Sequence, residues 1–132
     1  MNTLKLAECT EEYWDFVRLL RMDERVRDGF IEDMHITKDQ QVKYMTKYAH
    51  CFRIALLDGE PVGYYGVIDD DIRVCTHPDH FKKGIGKFLV EQCAGIWPDA
   101  LAKVKVSNEA SKRLFESCGY KLEYFLYKHS DE

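Results

Sequence analysis

The spacing of apolar positions divides the chain into short alternating elements. "TLKLA" sets Leu4 and Leu6 on one face, which predicts a strand. Tyr13, Phe16, Val17 and Leu20 then recur at helical spacing behind Thr10 and the acidic pair Glu11 and Glu12, which favour a helix start. After "MDERVRDGFIED", which has no dominant period, Thr37 and Gln40 form a capping-box pair opening a second helix to about Ala49. "FRIALL" and "VGYYGVI" flank Asp58-Gly59-Glu60-Pro61, a hairpin signal. A third strand follows Asp69-Asp70-Asp71 and places Ile72, Val74 and Thr76 on one face. A glycine turn then opens a helix with Ile85, Leu89, Cys93 and Ile96 on one stripe, ended by Pro98 and Asp99. "LAKVKV" returns as a strand. Asn108 caps a helix bearing Ser111, Leu114, Phe115 and Cys118 on one face, with Gly119 as its stop. "YKLEYFLYKH" is expected to close the fold as a last strand. The order β-α-α-β-β-β-α-β-α-β predicts an α/β sandwich around a mixed sheet.

Composition narrows the class. At 132 residues the chain is expected to be a single domain, residues 1–132, with one core. Its 45% hydrophobic and 32% charged content is that of a globular protein. A net charge of −4 gives no global attraction to nucleic acid or to an anionic membrane, so neither is expected as a partner. No charged leader precedes an apolar run, and no run is long enough to span a bilayer. The five cysteines (Cys9, Cys51, Cys75, Cys93, Cys118) are odd in number and form no CxxC pair, which suits reduced thiols in a cytoplasmic protein.

The turn "HPDHFKKGIGKFL" is where chemistry enters. It fails as a P-loop, because Phe88 follows Gly86-Lys87 where a Ser or Thr must bind metal, and Phe81 holds the first glycine's place. It fails as a dinucleotide fingerprint, because Leu89 stands at the third glycine. A glycine hairpin between two helices for DNA is disfavoured by the strand and His77-Pro78 before it. A strand-loop-helix start remains, whose unpaired amides and dipole suit an anion. Gly84 and Gly86 permit close approach, and Lys82, Lys83 and Lys87 add positive charge. The plain alternative is a turn with solvated lysines.

Two motifs together go further. Ile72 to Leu89 resembles the acetyl-CoA-binding motif of the GCN5-related N-acetyltransferase (GNAT) superfamily: a strand, a His-Pro-Asp turn, then x-x-Gly-x-Gly entering a helix. About twenty residues on, "NEASKRLFESCGY" looks like that superfamily's second motif, an Asn-capped helix ending in Gly-aromatic. "LLRMDERVRDGF" with "ITKDQQVKYM" is similar to the start of members that acetylate amino groups on nucleotide-linked sugars. The resemblance implies a three-layer sandwich with a mixed, mostly antiparallel sheet, and acetyl-CoA as co-substrate with no metal. It places the amides of Phe81, Lys82, Lys83, Gly84, Ile85 and Gly86 on the coenzyme A pyrophosphate. It also sets the pantetheine arm along the strand edge near Val74 and Thr76, as an added strand. Asn108 is then expected near the pantetheine and Phe115 near the thioester sulfur.

Two departures stand out. Phe81 replaces the usual Arg or Gln, and Phe115 stands where many members have a tyrosine thought to protonate the leaving thiolate. Losing a general acid costs about 10² to 10⁴ in rate, but a thiol of pKa about 8.5 is a workable leaving group near neutrality. Water, Ser111, Cys118 or another tyrosine could take that role. The attacking amine must lose a proton, and the candidate bases or orienting groups are Asp71, beside the strand that would hold the thioester, and His35. Asp69, Asp70, Glu32, Asp33 and His77 are further candidates. His77 with His80 makes too small a set for a metal. Arg21, Arg25 and Arg27 suit a nucleotide phosphate or plain surface charge. Tyr64 and Tyr65 point to opposite sheet faces, one expected in the core and the other at the acceptor. The expected function is direct acetyl transfer to a primary amine of a small molecule, an amino sugar on a nucleotide being the leading acceptor, through a tetrahedral intermediate. An acetylated Cys75 or Cys118 is ranked below it. The rivals are a CoA-binding module without turnover and a protein-lysine acetyltransferase. The aromatic last segment also suits a partner surface, hence a possible homodimer.

Overall fold

A computed structural model describes residues 3–27 and 35–130. Five strands, β1 (Leu4–Glu8), β2 (Phe52–Leu57), β3 (Glu60–Ile68), β4 (Asp71–Thr76) and β5 (Leu101–Ala102), form one sheet in sequence order. All neighbours are antiparallel except β4 and β5, which run parallel. The helices are α1 (Trp14–Met22), α2 (Glu24–Arg27), α3 (Lys38–Tyr48), α4 (Ile85–Ile96) and α5 (Glu109–Ser117).

Both hairpins turn on two left-handed residues. Asp58 and Gly59 have φ of 51° and 87° between β2 and β3, and Asp69 and Asp70 have 52° and 61° between β3 and β4. Such pairs match the right-handed twist of the strands they join. Two of the three aspartates therefore build a turn, and Asp71 begins β4.

The sheet separates two apolar clusters. On one face Tyr65, Val67 and Ile72 pack under α4 through Ile85, Leu89 and Cys93, with Phe115 of α5 beside them. On the other, Tyr64, Ile54 and Cys75 meet Val17 and Leu20 of α1 and Met45 of α3. The adjacent tyrosines thus face opposite layers, as strand geometry requires. Gln41 of α3 is almost fully buried and donates through Nε2 to the Trp14 carbonyl at 2.8 Å, tying α3 to α1. The Thr37–Gln40 capping box forms as expected, each side chain bonded to the other's backbone amide.

Three expectations are corrected. "YKLEYFLYKH" is not a strand: residues 120–130 lie in no helix or strand, with Leu122, Tyr124, Phe125, Leu126 and Tyr127 exposed. Tyr124 to Tyr127 are apolar without alternation, so the segment has no single face to bury. "LAKVKV" pairs only over Leu101–Ala102, because the chain leaves β4 after Ala102. Ile96 falls off the α4 stripe and is half-exposed, the helix having passed the edge of the core. Glu32 and Asp33 lie outside the described residues.

Candidate active site

The early departure of β5 creates the central feature. Leu101 donates to the Asp70 carbonyl at 2.7 Å and pairs with Asp71, and Ala102 pairs with Ile72. From Arg73 to Thr76 the outer edge of β4 then has no strand beside it among the described residues. An open edge of this kind offers backbone groups to an extended ligand.

At the far end of that edge lies the glycine turn. Gly84 is the N-cap of α4 with φ 79°, and Lys82 two residues earlier is also left-handed at 65°. For a residue with a Cβ this conformation costs about 1–2 kcal/mol, so the tight turn at Lys82 is held by its surroundings. The Phe81 amide is already used, donating to the Pro78 carbonyl at 3.3 Å, which leaves the cradle to the amides that follow. The first helical backbone bond runs from Phe88 to Gly84 at 3.0 Å, so the amides ahead of Phe88 start the helix without a carbonyl four residues back. A Cβ on Gly86 would sit 3.1 Å from Leu114 and 3.5 Å from Thr76 Oγ1, so this helix start is pressed against α5 and the end of β4. Lys82, Lys83 and Lys87 are exposed around it. Free amides, a dipole and three lysines fit a pyrophosphate.

The other end opens into a cleft of about 700 Å³, a size suited to a small substrate. Its cofactor-side wall holds Val74 of β4 and Asn108, Ser111 and Phe115 at α5. The Asn108 side chain caps α5 by accepting from the Ser111 amide at 3.1 Å. Ser111 and Phe115, one turn apart, then face the cleft together. Phe115 is buried, with its ring edge-on to Tyr120 at 5.2 Å. Of the stand-ins for the missing tyrosine, Ser111 lines the cleft, as do two other tyrosines, Tyr44 and Tyr64, and Cys118 does not.

The opposite wall comes from α1, the segment before α3, α3 itself and the other face of the sheet: Arg21, His35, Gln41, Tyr44 and Tyr64. Asp71 and Arg73 project between the walls, with Arg73 Nη2 3.8 Å from Asp71 Oδ2. Arg73 Nη1 is buried with no hydrogen-bond partner among the described residues. Burial pushes the Tyr64 phenol well above its ordinary pKa and raises that of Tyr44, while the Arg73 and Arg21 charges pull both down. Both guanidinium charges therefore reach the two rings.

The structure thus gathers Asp71, His35, Val74, Asn108 and Phe115 around one cleft, and Thr76 with the Lys82–Lys87 turn at the far end of β4. It leaves others aside. His77 sits on the turn after β4, where Nδ1 accepts from the Asp79 amide at 3.1 Å, and its ring lies 5.9 Å from that of His80. Arg25 spends its guanidinium on Asp23 and Asp79, at 2.7 and 2.8 Å, and lines no part of the cleft. The Cys75 thiol is pushed up to about 12 by burial, a poor nucleophile. Sequence reasoning missed Arg73, Gln41 and Tyr44. The period-2 pattern does put Arg73 on the face of Asp71 and Cys75, but nothing in β4 alone says that helices cover that face. Among the described residues no group of three His, Cys, Asp or Glu side chains could hold a metal, and no helix is long and apolar enough to cross a membrane.

Comparison with known proteins agrees with this geometry. A profile of the acetyltransferase (GNAT) domain matches residues 48–122, more than half of the chain. No curated protein sequence matches. Among solved structures, spermidine N-acetyltransferase from Vibrio cholerae, in complex with CoA and spermine, is similar with a TM-score of 0.79 and 18% identity over 93% of this chain and 83% of that one. A GNAT-family acetyltransferase from Streptococcus pneumoniae is similar at 0.74 and 18%, over 92% and 87% of the two chains. Aminoglycoside N-acetyltransferase AAC(6')-Iy in complex with CoA follows at 0.70 and 12%, over 99% and 97%. Others of the same fold were solved with acetyl-CoA or a CoA bisubstrate analogue. The sheet opened beside β4, the glycine start of α4 and the Asn-capped α5 all lie within the matched segment. The chain belongs to the GNAT acetyltransferase family, and is an acyltransferase.

Proposed function

We propose that the chain moves an acetyl group directly onto a primary amine of a small molecule, an amino sugar on a nucleotide being the acceptor first to test. The observation that carries this reading is the single cleft. The open edge of β4 and the α1–α3 wall share it, so co-substrate and amine meet without a covalent enzyme intermediate. The buried, high-pKa thiol of Cys75 supports the same order of events.

Acetyl-CoA, when bound, would supply a thioester carbonyl that an amine can attack. The amides from Lys82 onward hold the pyrophosphate, the edge at Val74 and Thr76 holds the pantetheine arm, and Asn108 and Phe115 form the facing wall. An alkylammonium has a pKa of about 10 and must be deprotonated to attack. Asp71 attracts the cation into the cleft, and Asp71 or His35 takes its proton, directly or through water. As the new C–N bond forms and the C–S bond breaks, the Ser111 hydroxyl, which lines the cleft, would donate a hydrogen bond to the leaving sulfur. A neutral hydroxyl there offsets part of what the absent tyrosine would supply.

The exposed run Leu122–Tyr127 supports a homodimer. β5 is an unpaired sheet edge of the same chain, and reciprocal pairing of each segment with the partner's edge would use both. Light scattering is expected to give twice the chain mass, and Phe125→Glu to give the monomer.

Release of coenzyme A from acetyl-CoA, followed with nucleotide-linked amino sugars, free amines and a lysine peptide, tests the function. Amine-dependent release with the acetylated product seen by mass spectrometry is the expected result. Tight binding of acetyl-CoA with no acetylated product would leave a CoA-binding module, and modification of the peptide alone would make the acceptor a protein lysine.

A further inference from the structure

The structure points to a specificity residue in the acceptor half of the cleft, and the inference rests on the transferase reading above. We propose that Arg73 anchors an anionic group, a carboxylate or a phosphate ester, on the molecule whose amine is acetylated. The cleft then selects amines carried on anions.

Arg73 is placed for this by strand periodicity. It lies on β4 between Asp71 and Cys75, on the sheet face covered by α1 and α3, and its side chain reaches the cleft. Its hydrogen bonding is incomplete: Nη1 is buried with no acceptor among the described residues. Asp71 stands 3.8 Å from Nη2, close enough to attract but too far to bond. A guanidinium presents five N–H groups in a planar fork that fits the paired oxygens of a carboxylate or phosphate. The side chain is 35% exposed, so the N–H groups on its open edge, not the enclosed Nη1, are the ones that meet a ligand oxygen.

Arg21 and Lys103 line the cleft together with Arg73 and Asp71. Arg21 and Arg73 both bear electrostatically on Tyr44 and Tyr64, so their fields overlap in the acceptor half. The single carboxylate of Asp71 matches the single ammonium of an amine whose other end is negative.

Matched acceptor pairs test the inference: glucosamine against glucosamine 6-phosphate for the phosphate source, cadaverine against lysine for the carboxylate source, and spermidine as the polycation. Turnover and equilibrium binding to the CoA-loaded protein are measured for wild type, Arg73→Gln, Arg73→Met and Arg73→Lys, each checked for a native melt. In wild type the anionic member of at least one pair is expected to be favoured tenfold or more. Arg73→Gln and Arg73→Met should raise its KM about ten- to hundred-fold, the scale of a lost charge-assisted hydrogen bond. The member lacking the anion should be affected less, through the Asp71 charge alone, and Arg73→Lys should recover part of the loss. Calorimetric affinity for acetyl-CoA should be unchanged throughout. Equal preference within both pairs, preference for spermidine, or equal KM shifts for both members would overturn the inference. So would the absence of both turnover and binding for every anionic member in a protein that binds acetyl-CoA. Failure to bind acetyl-CoA at all would instead bring down the transferase reading beneath it.

Discussion

The two walls of the cleft are built by different means. The cofactor side rests mainly on backbone, with Asn108, Ser111 and Phe115 adding side chains at the cleft: an open strand edge, a left-handed Gly84, and a helix start pressed so closely on Leu114 that position 86 has little room for a side chain. The acceptor side is made of side chains: Arg21, Tyr44, Tyr64, Asp71 and Arg73, brought from two helices and two strands. A backbone site demands particular residues at fixed spacing. A side-chain site can be assembled from any residues that the fold brings together. The first kind leaves a motif in one stretch of sequence and the second does not.

Substitutions that strike one wall at a time sharpen that division. The largest effect is expected from Gly86→Glu, which puts a carboxylate where the cradle needs amides. Acetyl-CoA affinity should fall at least a hundredfold in calorimetry while the melt stays cooperative. Asp71→Asn attacks the other wall. If Asp71 handles the amine proton, kcat/KM for the acceptor should fall about 10²-fold with acetyl-CoA affinity intact. A parallel loss of acetyl-CoA binding would show that the walls are not separable.

Stability probes the two layers behind the walls. A Cβ on Gly66 would meet the Phe52 ring at 2.5 to 2.9 Å, on the acceptor-side face. Gly66→Ala should therefore cost about 1–3 kcal/mol by overpacking, read from denaturant unfolding. Alkaline pH loads both layers together. Burial holds the Cys9, Cys75 and Cys93 thiols up to about 11, 12 and 11, against 9 for the ordinary thiol. Their folded pKa values are raised, so the unfolded chain gives up these protons first and stability falls as pH rises above 9. At pH 10 each thiol should cost about 1 kcal/mol, and a Cys75→Ala variant should show a shallower alkaline slope. The smallest change is expected at Gly95, on α4 with nothing within 4 Å of a Cβ. Gly95→Ala should stabilise the chain by about 0.5–1 kcal/mol.

What the sequence revealed follows the same division. Gly84, Gly86, Asn108 and Gly119 mark caps and turns whose geometry few residues satisfy, and the element order follows from them. Thr37 and Gln40 were readable for the same reason, since a capping box is a local contact. Arg73 was not readable. It is an ordinary charged residue in an alternating strand, and only the packing of α1 and α3 over that face makes it a lining residue. Tyr64 and Tyr65 were half-readable: periodicity put them on opposite faces without saying which face held the cleft. The last segment misled because β-rich composition is not a strand without an edge to pair with. The short β5 could not be foreseen from "LAKVKV", yet its early departure from β4 is what opens the site.

The most direct measurement of the two-wall account is the calorimetric affinity for acetyl-CoA in wild type, Gly86→Glu and Arg73→Gln. The account requires tight binding by wild type, its loss in Gly86→Glu and its retention in Arg73→Gln. Equal binding by wild type and Gly86→Glu, or equal weakening in both variants, would contradict it.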